Sequence, residues 1–468
     1  MLSYNLSEEK GPIYKTLYQF IREDIQQGKL KANEKIPSKR MLAKNLGIST
    51  ISIENAYEQL ISEGYIYTIP KKGYYVAAEL EKLNELKSIK KPVPVIKNIS
   101  EKKELNSDFF DFSSNQIENS NFPFSVWTKL LRETISGKKK ELLQVSPSGG
   151  VKELREAIAN HLESFRGMNV NPDQIIIGAG TEYLYGLLIK LLGNDKIYCI
   201  ENPGYIKLKK NYEINNCKCI TVDMDSNGLS VDRLRSIKGQ IAHISPTHHF
   251  PTGICMPASR RYELLAWTNE NENNYIIEDD YDSEFRLKGK PVPSLYSLDV
   301  FDKVIYMNTF SKSLTSTIRI SYMILPKQLA NIFYQKLSFY SCTVSTFEQF
   351  TLAAFISQGY FEKHINRMRL HYGRKRTQII EQIKKELPES KCKIIENDSG
   401  LHFILQFNTN KSDLEIKRVL YEKGIVIKSI TDYEMSGNSF DKHQFILNYS
   451  NIDVKKLGDV LKILVPLI

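Results

Sequence analysis

The sequence contains no long apolar run. Nothing in it approaches the roughly 18 uninterrupted apolar residues of a membrane span, so no membrane-embedded fold is expected. Its start, MLSYNLSEEKGPIY, has no basic segment followed by an apolar core, which argues against an export signal and for a cytoplasmic protein. Cysteine is sparse: Cys199, Cys217, Cys219, Cys255, Cys342 and Cys392 are scattered, and Cys217 and Cys219 sit too close for a CxxC pair. Reduced thiols are expected rather than a disulfide framework. There is no internal repeat. What is present is globular in texture, with 41% hydrophobic and 25% charged residues, and 468 residues are too many for one ordinary core. A small domain and a large one are expected. Lys plus Arg of 64 against Asp plus Glu of 54 gives 64 − 54 = +10 and a pI near 9.0, which favours an anionic partner such as nucleic acid.

Residues 12–27 read as an amphipathic helix, because Ile13, Leu17, Phe20, Ile21 and Ile25 recur at helical spacing and Gly28 supplies a stop. Ser38 can cap a second helix carrying Met41, Leu42 and Leu46, and Ser49 a third whose buried face is Ile53, Ala56, Tyr57 and Leu60. Then YIYTI, the turn PKKG and YYVA read as a hairpin. Two helices joined by a tight turn and followed by a basic hairpin describe a winged helix-turn-helix over residues 1–78. The start of its recognition helix offers Ser49, Thr50, Ser52 and Asn55 to phosphates or base edges. Ser38, Lys39 and Arg40 at the preceding helix, and Lys71, Lys72 and Gly73 at the wing tip, complete the candidate DNA contacts. The bland alternative is a protein-binding module with solvated charged faces. Residues 79–107, rich in lysine and glutamate with PVP in the middle, read as a linker. From 108 onward, apolar strand-like runs (QIIIGAG, KIYCIE, YIIEDD, KVIYMN) alternate with helix-like segments such as 151–165, 181–192 and 258–270. That alternation predicts an α/β fold with a mostly parallel sheet, and 370–468 reads as a smaller α+β lobe.

A lone lysine in a loop is usually a solvated charge, but Lys312 stands among Thr309, Ser311 and Arg319 in NTFSKSLTSTIR. Two hydroxyls and a guanidinium suit a dianionic phosphate, and a lysine beside one suits a Schiff base with pyridoxal 5'-phosphate. In DQIIIGAGTEYLYGLL, backbone N–H groups around Gly180 and Thr181 would face a phosphate at a helix start. Asp279 and Tyr281 follow an apolar strand, where a carboxylate can keep a pyridine nitrogen protonated and a phenol can bond the ring oxygen. Tyr205 can stack on the ring and Asn202 bond its edge. Each of these segments alone is an ordinary turn or acidic loop. His248 and His249 are adjacent in an extended segment and point opposite ways, so no metal is expected there.

Residues 11–77 resemble the winged helix of the GntR family, including P-S-x-R-x-L-A at Pro37 to Ala43 and A-Y-x-x-L at Ala56 to Leu60. Thr50 stands where that family often has arginine, which implies a different operator preference. Residues 108–468 resemble fold-type I aminotransferases, with GAGTE, Tyr205, P-T-G at Pro251 to Gly253, Asp279, Tyr281, S-K and Arg319 in that family's order. A winged helix followed by such a domain resembles the MocR subfamily of GntR regulators. The resemblance implies pyridoxal phosphate on Lys312, a double-stranded DNA operator, a head-to-tail homodimer and a small amino compound or pyridoxal vitamer as effector. It is similar to the GABA-responsive member, but the arginines that bind the ligand carboxylate there correspond to Lys207 and Ile430, so GABA is not the expected effector. Arg286 and His402 are further candidate effector contacts. A working aminotransferase with an accessory DNA-binding domain, and a scaffold without cofactor, remain as alternatives.

Overall fold

The apolar stripe of the first helix finds its partner within a small core. In the computed structural model, α1 (Ile13–Gln26) buries Leu17, Ile21 and Ile25 against Leu42, Ile53, Tyr57, Leu60, Ile66 and Val76. A two-residue strand, β1 (Lys35–Ile36), precedes α2 (Lys39–Leu46) and α3 (Thr50–Ser62). Both helices begin on a serine: Ser38 Oγ accepts from Met41 N at 3.3 Å, and Ser49 Oγ from Ser52 N at 3.2 Å. The hairpin is β2 (Ile66–Ile69) and β3 (Gly73–Val76), and the antiparallel order is β1-β3-β2.

The structure describes residues 4, 11–78, 109–113, 118, 121–287, 292–395, 400–437 and 441–468. The chain divides into two compact units, Met1–Glu104 and Leu105–Ile468. The linker expected over 79–107 lies outside the described residues.

The large unit opens with β4 (Phe110–Asp111) and is built on an eight-stranded sheet. Its strands are β5 (Ile175–Gly178), β6 (Ile197–Asn202), β7 (Lys218–Asp225), β8 (Gly228–Leu229), β9 (Ile241–Ile244), β10 (Tyr275–Asp279), β11 (Val304–Thr309) and β12 (Ser321–Ile324). The order is β5-β12-β11-β10-β9-β6-β7-β8. The run from β11 through β7 is parallel, while β12 is antiparallel to both neighbours. Parallel strands covered on both faces read as unbroken apolar runs, and every residue of β5, β9, β11 and β12 is buried. One consequence positions the candidate site: Asn202, Asp279 and Thr309 each end a parallel strand, and Ser321, opposite Thr309, begins β12. Candidate ligand groups therefore share the carboxyl edge of the sheet, where open α/β folds bind ligands.

The smaller lobe is the antiparallel sheet β13 (Cys392–Ile395), β14 (His402–Phe407), β17 (Gln444–Asn448) and β16 (Lys428–Ser429), in the order β13-β14-β17-β16. It packs with helices Tyr360–Glu386 and Val454–Leu464 around Met368, Tyr372, Leu405 and Leu461. Residue 370, the expected start of this lobe, falls inside the first of these helices, because that helix runs 27 residues without a break. A short strand β15 (Ile425–Val426) pairs in parallel with β4. All six cysteines are free thiols, and among the described residues no helix is long and apolar enough to cross a membrane.

Candidate cofactor and DNA-binding sites

Lys312 sits on a short helix, Phe310–Ser313, whose start is fixed by Thr309: its Oγ accepts from Ser311 N at 3.1 Å and from Ser321 Oγ at 2.8 Å. The far end is held by His364, whose Nε2 donates to Ser313 O at 2.9 Å. Burial pushes the Lys312 ammonium down to about 8, with the Asp282 carboxylate opposing. A neutral amine is therefore accessible near physiological pH.

The acidic motif EDDYD sends each carboxylate to a different destination. Glu278 accepts from Leu295 N and Tyr296 N at 2.9 Å each, behind the sheet edge. Asp279 accepts from Tyr185 Oη at 2.8 Å on Oδ2, while its Oδ1 is buried with no hydrogen-bond partner. Asp280 is ion-paired with Arg166, whose side chain is nearly buried, and accepts from Tyr306 Oη at 2.8 Å. Asp282 Oδ2 lies 2.8 Å from His248 Nδ1, which is also 3.4 Å from Tyr281 Oη. Behind Asp279, His243 Nε2 is 3.7 Å from Oδ2, and His243 Nδ1 is hydrogen-bonded to Tyr212 Oη at 2.7 Å. Tyr185, His243 and Tyr212 went unnoticed in the sequence, where tyrosines at helical spacing are indistinguishable from core.

Gly180 caps the start of helix Thr181–Leu192 at φ 96°, a left-handed conformation that L side chains rarely adopt. A methyl there would also stand 2.3 Å from Arg319 Nη2, so glycine permits the guanidinium to approach the helix N-terminus. Arg319 Nη2 donates to Glu182 Oε2 at 2.6 Å and is half-exposed. Ser311 Oγ is buried and lacks a partner. Backbone N–H groups, a guanidinium and an unengaged hydroxyl form the donor set that a phosphate dianion requires. Tyr205 begins the next helix, Ile206–Ile214, and its phenol is raised first by burial and then by the Glu182 and Asp279 charges, with Arg319 opposing. It thus stands among the same groups.

Other candidates are placed differently. Asn202 donates to Asp223 Oδ1 at 2.9 Å and Ser436 Oγ at 3.1 Å and accepts from Met435 N at 2.8 Å, so its amide ties β6 to the 435–436 turn. His402 is buried, donates from Nε2 to Pro251 O at 3.2 Å and packs on His248 at 4.5 Å; burial holds it well below its usual pKa, aided by His248. Lys207 is exposed in the first turn of helix Ile206–Ile214, Arg286 is partly buried, and Ile430 is buried with Ile404 and Ile446. His249 turns away from His248, toward Thr252 Oγ at 2.7 Å and Glu201. No metal-holding cluster exists among the described residues.

In the small unit, Ser38 and Ser49 are helix caps, and Ser52 Oγ is 2.9 Å from Ser49 Oγ. Lys39 is paired with Glu54 and lies 5.9 Å from the Tyr74 ring centroid, binding α2 to α3 and the wing. Arg40, Thr50, Asn55, Lys71 and Lys72 are exposed. Lys71 at φ 64° and Gly73 at φ 117° turn the wing. One residue that the sequence did not single out, Ile51, is also exposed on α3.

Two family descriptions match the chain: "Bacterial regulatory proteins, gntR family" over residues 13–76, and "Aminotransferase class I and II" over residues 107–453. Among solved structures, a kynurenine aminotransferase of Pyrococcus horikoshii aligns with a TM-score of 0.68 at 23% identity, covering 83% of this chain and 94% of that one, which shows the fold alone. Members of that aminotransferase class bind pyridoxal phosphate. The uncharacterized HTH-type transcriptional regulator YdeL of Bacillus subtilis is 36% identical over 90% of this chain and 89% of its own length. The regulator MocR of Rhizobium meliloti, described as a probable rhizopine catabolism regulatory protein, is 29% identical over 96% and 92%. PdxR of Corynebacterium glutamicum, a pyridoxine biosynthesis transcriptional regulator, is 30% identical over 88% and 87%. The chain belongs to the MocR subfamily of GntR-type regulators, which join a helix-turn-helix to an aminotransferase-like domain.

Proposed function

We propose that this chain is a cytoplasmic transcriptional regulator that binds a double-stranded DNA operator, holds pyridoxal phosphate on Lys312 and responds to a small amino compound or pyridoxal vitamer. The observation that carries the cofactor assignment is the buried, unpartnered Oδ1 of Asp279 at the sheet edge that also presents the desolvated Lys312 amine. Pyridoxal phosphate supplies an aldehyde that condenses with a primary amine and a ring that withdraws electrons. Lys312 offers a neutral nucleophile, and Asp279 suits the ring nitrogen, keeping a proton there. Tyr185 Oη fixes that carboxylate by its hydrogen bond to Oδ2. Ser311, Arg319 and the Gly180–Thr181 N–H groups suit the phosphate, and Tyr205 the ring face. Tyr281, oriented by His248 and Asp282, suits the ring oxygen.

Effector choice follows from Lys207 and Ile430. Neither provides the bidentate fork that a small carboxylate favours, and Ile430 is buried, so GABA is not the effector. A vitamer is supported by the similarity to PdxR, whose name refers to pyridoxine biosynthesis. The family's head-to-tail homodimer is carried over from the resemblance, and association of two copies is supported by large apolar side chains left exposed on the large unit, including Phe124, Leu143 and Val145.

The test is the visible spectrum of the protein with pyridoxal phosphate. A yellow band is expected in the wild type and absent in Lys312→Ala, which should fold and bind DNA as before. A wild type that stays colourless, or a folded Lys312→Ala that no longer binds DNA, counts against the proposal. The rate of cofactor uptake should rise with pH to a half-maximum near about 8, because deprotonation of a buried ammonium produces the reactive amine. A profile still climbing at pH 10, as for an exposed lysine, would show that the amine is not desolvated. GABA in large excess should leave the spectrum unchanged.

A further inference from the structure

The start of α3 carries an apolar side chain where a DNA reader meets base edges. Ile51, second in the helix, is 67% exposed, more than any other large hydrophobic residue described in the small unit. It lies off the buried stripe of Ile53, Ala56, Tyr57 and Leu60. Met41, in the first turn of the partner helix α2, is 55% exposed. Several polar groups around Ile51 are already engaged: Ser49 and Ser52 bond each other, and Glu54, which could accept from cytosine, is paired with Lys39.

The helix TISIENAYEQLIS contains neither lysine nor arginine. In the major groove guanine is read by arginine or lysine, adenine by an asparagine or glutamine amide, and thymine by apolar contact with its C5-methyl. The first means is missing from α3. The second is present at Asn55, which is exposed and one turn from Ile51 on the same face. The third is Ile51. Attraction to phosphate comes from other segments: residues 11–78 hold ten lysines and arginines against six acidic residues, and Arg40, Lys71 and Lys72 are exposed.

We infer that Ile51 is a specificity-determining residue that packs on a thymine methyl, so that α3 selects an A·T pair and discriminates against guanine at that position. This rests on the DNA-binding function proposed above. The test begins with the full-length chain and a pool of duplexes with a randomised centre, enriched by repeated capture. In the winning duplex each thymine is then replaced singly by deoxyuracil, which removes only the C5-methyl, and affinity is read by fluorescence anisotropy. One thymine per half-site should cost the wild type roughly fourfold in affinity when its methyl is removed, the size expected for one buried carbon. Ile51→Ala, which keeps a good helix former at an exposed position, should discriminate less than about twofold there. Enrichment of duplexes in which every deoxyuracil substitution is neutral, or equal discrimination by Ile51→Ala, overturns the inference and leaves the DNA-binding function intact. Failure of the folded wild type to enrich any duplex overturns both.

Discussion

The two units carry their candidate residues in opposite ways. In the small unit most of them stand in solvent; the serine caps bond neighbours three residues away, at Ser38 and Ser49, while Lys39 pairs with Glu54. In the large unit Asn202, Thr309 and His402 are buried, Lys312, Asp279 and Ser311 are partly buried and Arg319, Tyr205 and Lys207 are exposed, and two buried atoms, Asp279 Oδ1 and Ser311 Oγ, are left without any partner. Unpaired buried polar atoms are costly, so the two at the candidate site suit a ligand that would satisfy them. A surface that reads DNA needs no such incompleteness, because phosphates and base edges are met in water. The small unit offers most of its candidate contacts at the surface, and the large one keeps two of them buried and unpaired.

Substitutions can break this contrast or sharpen it. The largest effect is expected from Asp280→Ala, which strands the buried Arg166 guanidinium and should cost about 3–5 kcal/mol. Thermal unfolding followed by calorimetry should show the large unit's transition falling and the small unit's unmoved; a joint shift would mean that the units do not unfold independently. Leu60→Ala empties part of the small core and should cost that unit about 2–5 kcal/mol, abolishing DNA binding while the cofactor band persists. Removing the α3 cap in Ser49→Ala should cost about 1 kcal/mol, visible as a lower denaturant midpoint for the small unit. The smallest change is expected for Lys72→Ala. It should lower affinity evenly across sequences and reduce the slope of log affinity against log salt by about 0.9, the loss of one phosphate contact. A sequence-dependent loss would instead assign Lys72 to base reading.

The same contrast explains what could be read from the sequence. The caps, the buried stripe of α3 and the wing turn are local, so spacing alone revealed them. The fold class was legible too, since parallel strands announce themselves as apolar runs between helices. β1 escaped notice because its two residues become a strand only by pairing with Tyr74 and Tyr75. Lys312, Asp279 and Arg319 were legible only as a set in a known order. Their supports were not: Tyr185 reaches Asp279 across 94 residues of sequence, and Arg166 reaches Asp280 across 114. Asn202 illustrates the limit, because nothing in ENPGY foretells Asp223 and Ser436 as partners for its amide. Ile51 was passed over because an isoleucine near a buried stripe looks like part of it.

The pairing of β4 with β15 has a mechanical consequence. The chain leaving the 79–107 segment is fastened at once: Phe110 N donates to Gly424 O and Phe112 N to Val426 O, each at 2.8 Å. Asn448 N then donates to Phe112 O at 2.9 Å, and the Phe112 ring is fully buried. All of these acceptors and donors beyond residue 112 belong to the C-terminal lobe, not to the eight-stranded sheet. The C-terminal lobe, rather than the eight-stranded sheet, therefore anchors residues 110–112.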